Sequence, residues 1–471
     1  MMVFSRRNRQ DVHLYFIGLG GIGMSGIAEV FLNQGYAVSG SDAKDSTTLQ
    51  RLKKKGAKVF IGHDPSQINE NLSVVVTSSA VKSDNPEVKM AHQLKIPVIP
   101  RAEMLGELMR GKTGIAIAGT HGKTSTTNLL SAILLEAKLD PTVVIGGIVS
   151  SLGSNAVLGS GEFVVAEADE SDGSFLYLPT TYSIITNIDS DHLDHYGSYD
   201  QIKNAFIRFV ARHPFYGLSL VCGEDPGVRS CLSEFKKPFR TYGFDSSCDF
   251  YANSVEVTAE GSRFEVYHLG ELLGEIELPM HGRHQVLNAL GAIGLAYELE
   301  ISFSKIQKGL KKIQGVQRRF QKIARNQIRN IDVIDDYGHH PTEIKATLET
   351  ARAMTQQKII TVFQPHRYSR TQDSFDSFLE CFNQTDELIL MPIFSAGEDP
   401  IEGITSDYLS KKIKEKNPHL NITVAFSFDD VETQIKSRLT QDQLLIFMGA
   451  GSVQQLGSRF KEVVENELGS I

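Results

Sequence analysis

The hexapeptide Gly119-Thr120-His121-Gly122-Lys123-Thr124 follows an apolar run, Gly114-Ile115-Ala116-Ile117-Ala118, and leads into a helical stretch from Ser125 to Glu136. The backbone N–H groups of such a turn, the Lys123 ammonium and the Thr124 hydroxyl make a grip for a nucleoside triphosphate with magnesium. Ile117 stands where the first glycine of GxxxxGK[ST] would fall, which points away from an ordinary kinase or GTPase. A second turn, Gly18-Leu19-Gly20-Gly21-Ile22-Gly23, fits GxGxxG, and Asp42 closes the following strand where a ribose would be bonded. Alone, this turn suits a nicotinamide dinucleotide or a UDP-sugar equally, because both present a pyrophosphate and a ribose. Two turns of different kind predict two phosphate-bearing substrates.

Polar clusters close further apolar runs. Glu167-Ala168-Asp169-Glu170 ends the strand Phe163–Ala166, and Asp189-Ser190-Asp191-His192-Leu193-Asp194-His195 follows the strand Tyr182–Thr186, so both should converge on the lysine turn. Carboxylate oxygens there suit magnesium, a hard cation. Asp335-Asp336-Tyr337-Gly338-His339-His340-Pro341-Thr342-Glu343 joins a strand to a helix, with Thr342 or a neighbour capping and Glu343 in the first turn. In Gln364-Pro365-His366-Arg367-Tyr368-Ser369-Arg370 two arginines follow another strand, suited to holding a carboxylate or phosphate bidentately.

The elements that must position these residues read as short buried strands alternating with helices, the pattern of parallel α/β sheets. His13–Ile17, the helix Met24–Asn33 and the strand Tyr36–Ser39 make a βαβ unit, continued by strands near Ala57–Ile61, Val74–Val76 and Ile96–Ile99. A second α/β series opens at Gly114, and a third, after a reset near Gln314–Phe320, contains strands at Ile331–Asp336, Lys358–Phe363, Glu387–Met391 and Leu444–Met448. The expected organisation is three domains, 1–110, 111–317 and 318–471: a Rossmann-like domain, a P-loop ATPase domain with a parallel-rich sheet, and a second Rossmann-like domain.

The 471 residues are 41% hydrophobic and 22% charged with net charge -8, a globular composition that disfavours general nucleic-acid or membrane-surface binding. No apolar run approaches the roughly 20 residues needed to span a bilayer. No signal-peptide core follows the polar start Met1–Gln10, so the cytoplasm is the expected compartment. Cys222, Cys231, Cys248 and Cys381 form no CxxC pair or zinc-type cluster and are expected to be plain thiols.

Together these residues resemble the Mur ligase family, ATP-dependent amide-forming enzymes of peptidoglycan precursor synthesis. The resemblance spans nearly the whole chain and rests on Gly18–Glu29, Gly119–Thr124, Glu167–Asp172, Asp191–Asp194, Arg318–Gln321, Asp335–Glu343 and Gln364–Thr371. It implies that a substrate carboxylate attacks the γ-phosphate of ATP and that an amine then displaces phosphate from the acyl phosphate. The motifs look most like those of the member joining L-alanine to UDP-N-acetylmuramate; the member that attaches a whole peptide to the same sugar is the alternative within the family. By the same resemblance Lys123 holds the β- and γ-phosphates, with Gly119, Thr120, His121 and Gly122 cradling them, and Thr124 and Glu167 ligate one magnesium ion. His192 resembles the ligand of a second. Asn288 resembles an adenine contact, Arg319 the γ-phosphate arginine and Asp336 the ribose ligand. His339, His366, Arg367 and Arg370 would line the alanine and acyl-phosphate pocket, while Asp42, Arg101 and the turn glycines Gly18, Gly20, Gly21 and Gly23 hold the UDP-sugar. Gln285 departs from the family's usual asparagine. Phe206 stands where several members carry a carbamylated lysine, so no carbamate is expected. A nicotinamide-dependent dehydrogenase would use the first turn but leave Lys123, Thr124 and the acidic strand ends without a task; a non-catalytic nucleotide-binding regulator would bind ATP through Lys123 with no ligase activity to lose.

Overall fold

A computed structural model describes residues 9–78, 80–149, 154–258, 260–313 and 318–467. The start of the chain before residue 9 and the expected junction at Gln314–Gln317 lie outside the described residues. Three sheets follow one another along the chain.

The first contains β1 (His13–Ile17), β2 (Ala37–Asp42), β3 (Lys58–Ile61), β4 (Val74–Thr77) and β5 (Val98–Pro100), all parallel, in the order β3-β2-β1-β4-β5. The order reverses at β1, so the crevice beyond its carboxyl end is where such a sheet takes a ligand. Gly18–Gly23 occupies that end.

The second sheet has ten strands: β6 (Thr113–Ala118), β7 (Thr142–Val149), β8 (Ser154–Val157), β9 (Phe163–Glu167), β10 (Tyr182–Ile185), β11 (Leu218–Cys222), β12 (Phe239–Gly243), β13 (Phe250–Val257), β14 (Ser262–His268) and β15 (Glu271–Leu278). Their order is β15-β14-β13-β12-β11-β10-β6-β9-β7-β8. β6 lies between β10 and β9, paired in parallel with each, so the three loops leaving these strands meet at one edge. The central strands are continuous buried runs, as strands covered on both faces must be. β13 to β15 instead form an antiparallel meander in which buried positions alternate with exposed ones.

The third sheet runs β16 (Gln321–Asn326), β17 (Ile331–Asp336), β21 (Gln443–Met448), β18 (Lys358–Phe363), β19 (Glu387–Leu390) and β20 (Asn421–Val424), parallel except for β16. Loops after β17, β18 and β21 therefore face the same way. The glycine turn after β21 is filled by protein: Arg318 Nη2 donates to Gly449 O, and the Val453 N–H donates to Gln364 Oε1.

The first two sheets share a packed core. Leu105, Leu108 and Met109 of the helix Arg101–Met109 join Phe175, Leu178 and Phe206 in one buried cluster with Phe16 and Leu19. Phe206 is fully buried with its ring 5.3 Å from that of Phe175. The third sheet keeps its own clusters and meets the second largely through polar side chains. Apolar burial thus fixes the first site relative to the second, whereas the third unit docks through hydrogen bonds and charge. The four cysteines are buried free thiols.

Candidate active site

Each phosphate-type turn is shaped by a contact its glycines permit. In the first, the Gly20 N–H donates to Asp42 Oδ2 at 2.8 Å, so Asp42 holds the turn as well as facing the crevice. A Cβ on Gly23 would lie 3.0 Å from Arg101 Nη1, and Arg101 Nη2 reaches Asp169 Oδ2 at 2.9 Å. Arg101 therefore links the first turn to the acidic end of β9. Gly18 takes the left-handed conformation at φ 79°, and Gly21 caps the helix Ile22–Asn33 that follows.

The second turn ends at Gly122, at φ 83°, which caps the helix Lys123–Glu136. Sequence reading started this helix at Ser125; it begins two residues earlier because the left-handed glycine turns the chain straight into it. Lys123 and Thr124 thus stand in the first turn, where unpaired N–H groups and the helix dipole favour an anion. A Cβ on Gly122 would come within 2.5 Å of Asn288 Oδ1, so the turn and the helix Arg283–Glu298 approach as closely as glycine allows.

The loop after β10 pins this turn from below. Thr120 N donates to Asn187 O at 3.2 Å, the His121 N–H to Asn187 Oδ1 at 2.8 Å, and the Asp189 N–H to Thr120 Oγ1 at 2.9 Å. Lys123 Nζ donates to Gly119 O, to Thr120 O and to both oxygens of Glu170, at 2.7 and 2.9 Å. Glu170 is almost wholly buried, and sequence reading had it only as one member of an acidic run. The attraction of that carboxylate, aided by Asp169, raises the Lys123 pKa against the opposing effect of burial. Glu167 pairs with Ile117 in the β6–β9 register, directly beneath the loop.

A cavity of about 270 Å³ opens between this turn and the third unit. His121, Gly122 and Asn288 line one wall, and Arg319, Asp336 and Glu343 the other. Gln285 takes part through a chain: Asn288 Nδ2 donates to Gln285 Oε1 at 3.3 Å, and Gln285 Nε2 lies 3.1 Å from His284 Nε2. Because that imidazole is neutral, its pKa lowered to about 4 by burial and by Arg319, its Nε2 can accept. Asp336 takes the N–H of Phe320 on one oxygen and that of Gly338 on the other, at 2.6 and 2.7 Å, leaving lone pairs on each toward the cavity. Arg319 Nη1 donates to Glu343 Oε1 at 3.1 Å.

Beside the cavity lies a narrow cleft lined by Asp191, His192, Arg367 and Arg370. Arg370 grips Asp191 with Nε and Nη2, each at 3.3 Å, across the boundary between the second and third units. Its Nη1 lies 3.3 Å from His366 Nδ1; since a guanidinium only donates, that nitrogen accepts and His366 is neutral. Burial and the two arginines lower its pKa to about 4. His339 donates Nδ1–H to Tyr337 O at 3.1 Å, and burial pushes its pKa down to about 3. The histidines of this pocket are therefore polar but uncharged, and its positive charge comes from arginine. His192, at φ 60°, sits 3.9 Å from Glu170 Oε1 and 3.6 Å from Asp191 Oδ2. Arg367 is the most exposed member, 3.8 Å from Glu398.

The cap expected at Thr342 or a neighbour is His340, which starts the helix Pro341–Met354 in a capping box completed by Glu343. Thr342 Oγ1 instead donates to Asp189 Oδ2 at 2.6 Å, joining the third unit to the second. Among the described residues one histidine and carboxylate group has metal-type spacing, His121, Asp189 and His340. Its atoms already bond one another, Thr342 and the cap, so it reads as a charge network.

No described helix is long and apolar enough to cross a membrane. Three α/β units with a phosphate turn at the junction of the last two define a nucleotide-using enzyme of the Mur type. Residues 13–113 match the Mur ligase family catalytic domain, 117–296 the Mur ligase middle domain, and 318–451 the Mur ligase glutamate ligase domain. The chain belongs to the Mur ligase family. It is 48% identical over 455 residues to the UDP-N-acetylmuramate–L-alanine ligase of Geotalea uraniireducens (strain Rf4), covering 97% of this chain and 98% of that one. It is 49% identical over 445 residues to the enzyme of the same name from Geobacter sp. (strain M21), covering 94% and 96%. Among solved structures, UDP-N-acetylmuramate-alanine ligase MurC from Thermotoga maritima superposes with TM-score 0.81 at 28% identity, covering 98% of this chain and all of that one. A murein peptide ligase from Psychrobacter arcticus shares the fold, with TM-score 0.70 at 23% identity.

Proposed function

We infer that the protein is an ATP-dependent ligase that joins L-alanine to the lactyl carboxyl of UDP-N-acetylmuramate, forming a peptidoglycan precursor in the cytoplasm. The observation that carries this is the paired architecture: a Rossmann turn with Asp42 and Arg101, tied by the Arg101–Asp169 bridge to a phosphate loop that faces Asn288, Arg319 and Asp336. Full-length identity near one half to ligases of that name supports the choice of sugar and amine.

In this reading Gly18 to Gly23, Asp42 and Arg101 hold the UDP-sugar, with its lactyl carboxylate at the carboxyl ends of β9 and β10. Lys123 leaves Glu170 for the β- and γ-phosphates, and the N–H groups of Gly119 to Thr124 take the rest. Asn288 meets adenine, Asp336 the ribose and Arg319 the γ-phosphate. Charge building on the transferring phosphoryl group is met by these fixed donors, which need no covalent nucleophile. Arg367 and Arg370 hold anions at the acyl-phosphate end, and the neutral His339 and His366 accept or donate without repelling the alanine ammonium. The donor set fits magnesium in part: Thr124 and Glu167 offer oxygens beside the loop, and His192 a nitrogen, which that ion takes less readily. When bound, the ion would neutralise phosphate charge. The domain limits we propose are 1–110, 111–317 and 318–471.

The test is phosphate release by the purified chain with ATP, UDP-N-acetylmuramate and magnesium, comparing L-alanine with a tripeptide. Release with L-alanine and none with the peptide is the expected result; the reverse would assign the peptide ligase reaction. Chelation should stop release and added magnesium restore it.

A further inference from the structure

His121 is held more firmly than a flexible loop residue needs to be. Its N–H is bound by Asn187 Oδ1, and its carbonyl accepts from Thr186 Oγ1 at 2.5 Å and Asn187 Nδ2 at 3.0 Å. From that pinned backbone the ring, 12% exposed, points both nitrogens at carboxylates: Nε2 lies 3.1 Å from Asp189 Oδ2, and Nδ1 lies 3.6 Å from Glu343 Oε1. A neutral imidazole carries one N–H, so only the protonated ring serves both partners. Burial opposes the charge, but bonding to Asp189 and Glu343 outweighs it and lifts the pKa to about 9.

Glu343 is the other half of the arrangement. Its Oε1 is shared between His121 and Arg319, at 3.6 and 3.1 Å, while Oε2 takes the N–H of His339 at 3.1 Å. A chain of charges thus runs from the phosphate loop of the second unit, through a carboxylate of the third, to the guanidinium facing the cavity. Asp189 runs parallel to it, accepting Thr342 Oγ1 and lying 3.6 Å from His340 Nδ1.

We propose that His121 is a positioning residue: through the shared Glu343 carboxylate it sets Arg319 against the nucleotide, coupling the phosphate loop to the placement of the third unit. The proposal rests on the ATP-ligase reading above. Apolar packing fixes the first unit but leaves the third to polar contacts, and this is the contact that begins on the phosphate loop itself. Binding a triphosphate on the loop and orienting Arg319 then become one event.

The test uses His121→Asn and Glu343→Gln, singly and together, in the full chain with all three substrates. Gln preserves the capping box, so Glu343→Gln removes charge rather than the helix start. Each single variant should lower kcat by about 10- to 100-fold, the range for losing a hydrogen bond between charged groups. The double variant should fall within about threefold of the worse single one, as expected of residues acting through one link. UDP-sugar affinity should stay at the wild-type value. Each variant strips a buried ion pair of one partner and should lower the thermal midpoint, so kcat is measured well below the transition and expressed per folded molecule. A His121→Asn enzyme with wild-type kcat overturns the proposal, as do losses that multiply in the double variant or that disappear when turnover is expressed per folded molecule. Lys123→Ala serves as the control: if it too kept wild-type kcat, the phosphate-loop reading itself would fail rather than the coupling.

Discussion

Replacing Lys123 by alanine should damage stability as well as catalysis, and the two effects should separate in a second variant. The ammonium makes two contacts to Glu170, at 2.7 and 2.9 Å, with side-chain exposures of 17% and 3%. Breaking a buried pair by removing one partner costs about 3–5 kcal/mol, and the partly exposed lysine argues for the lower end, about 3 kcal/mol. Burial pushes the Glu170 carboxyl up to about 7 even beside Lys123, so the stranded group sheds its charge by taking up a proton near neutral pH, which makes about 3 kcal/mol an upper figure. The sign follows: the penalty shrinks on acidification and is smallest at pH 5.5, where the carboxyl is protonated with or without Lys123. Adding Glu170→Gln removes the stranded charge and should recover most of the loss, with no recovery of turnover, since the cation proposed for the γ-phosphate is still missing. Turnover should fall by about 10²–10³ or more in both variants, as for loss of one transition-state donor. The chain has no tryptophan, so calorimetry or circular dichroism at pH 5.5 and 7.5, with phosphate release, is the suitable assay. About 3 kcal/mol corresponds to roughly 6–12 °C in the transition of a unit of this size. A Lys123→Ala protein as stable as wild type at pH 7.5, or a double variant no more stable than the single, would refute the buried-pair account.

Other consequences are local. Gly122→Ala places a methyl 2.5 Å from Asn288 Oδ1 on a backbone at φ 83°, so ADP affinity measured by titration calorimetry should drop by about tenfold or more while UDP-sugar binding persists. Arg101→Ala breaks the 2.9 Å contact to Asp169 and should raise KM for the UDP-sugar by about tenfold, with KM for ATP changed far less. An equal rise in both constants would count against Arg101 as a sugar-side residue. His213, 2% exposed, donates Nδ1–H to Phe209 O, and burial lowers its pKa from 6.5 to about 4. The unfolded chain therefore binds the extra proton between those values, and stability falls by about 2–3 kcal/mol as pH drops from 6.5 to 4. His213→Leu should flatten that part of the pH–stability curve in denaturant titrations; an unchanged slope would show that His213 is not its source.

What the sequence made legible follows from where the physical constraint is local. Buried parallel strands are continuous apolar runs, so β1, β17 and β18 could be marked at their true ends, and glycine turns announce themselves because few other residues tolerate their backbone. The meander β13 to β15 was passed over: its pattern, half exposed and broken by register shifts, carries no run of that kind. The turn Gly119–Thr124, Arg319 and Asp336 could be singled out from motifs as candidates, and His121, Gly122, Arg319 and Asp336 do line one cavity, but Glu170 and Glu343 could not be told from neighbouring acids. Each becomes distinctive only through a partner far along the chain: Lys123 is 47 residues from Glu170, and Glu343 meets His121 of the preceding unit. Spacing within a motif reports the strand end on which a residue stands, whereas these contacts depend on how two sheets face each other. Glu343 shows the limit most clearly. Its local role, capping a helix, was readable and is correct, and it hid the second role, because one oxygen caps while the other joins His121 to Arg319. A carboxylate at a helix start is ordinary; one shared by cations from two units marks the joint between those units.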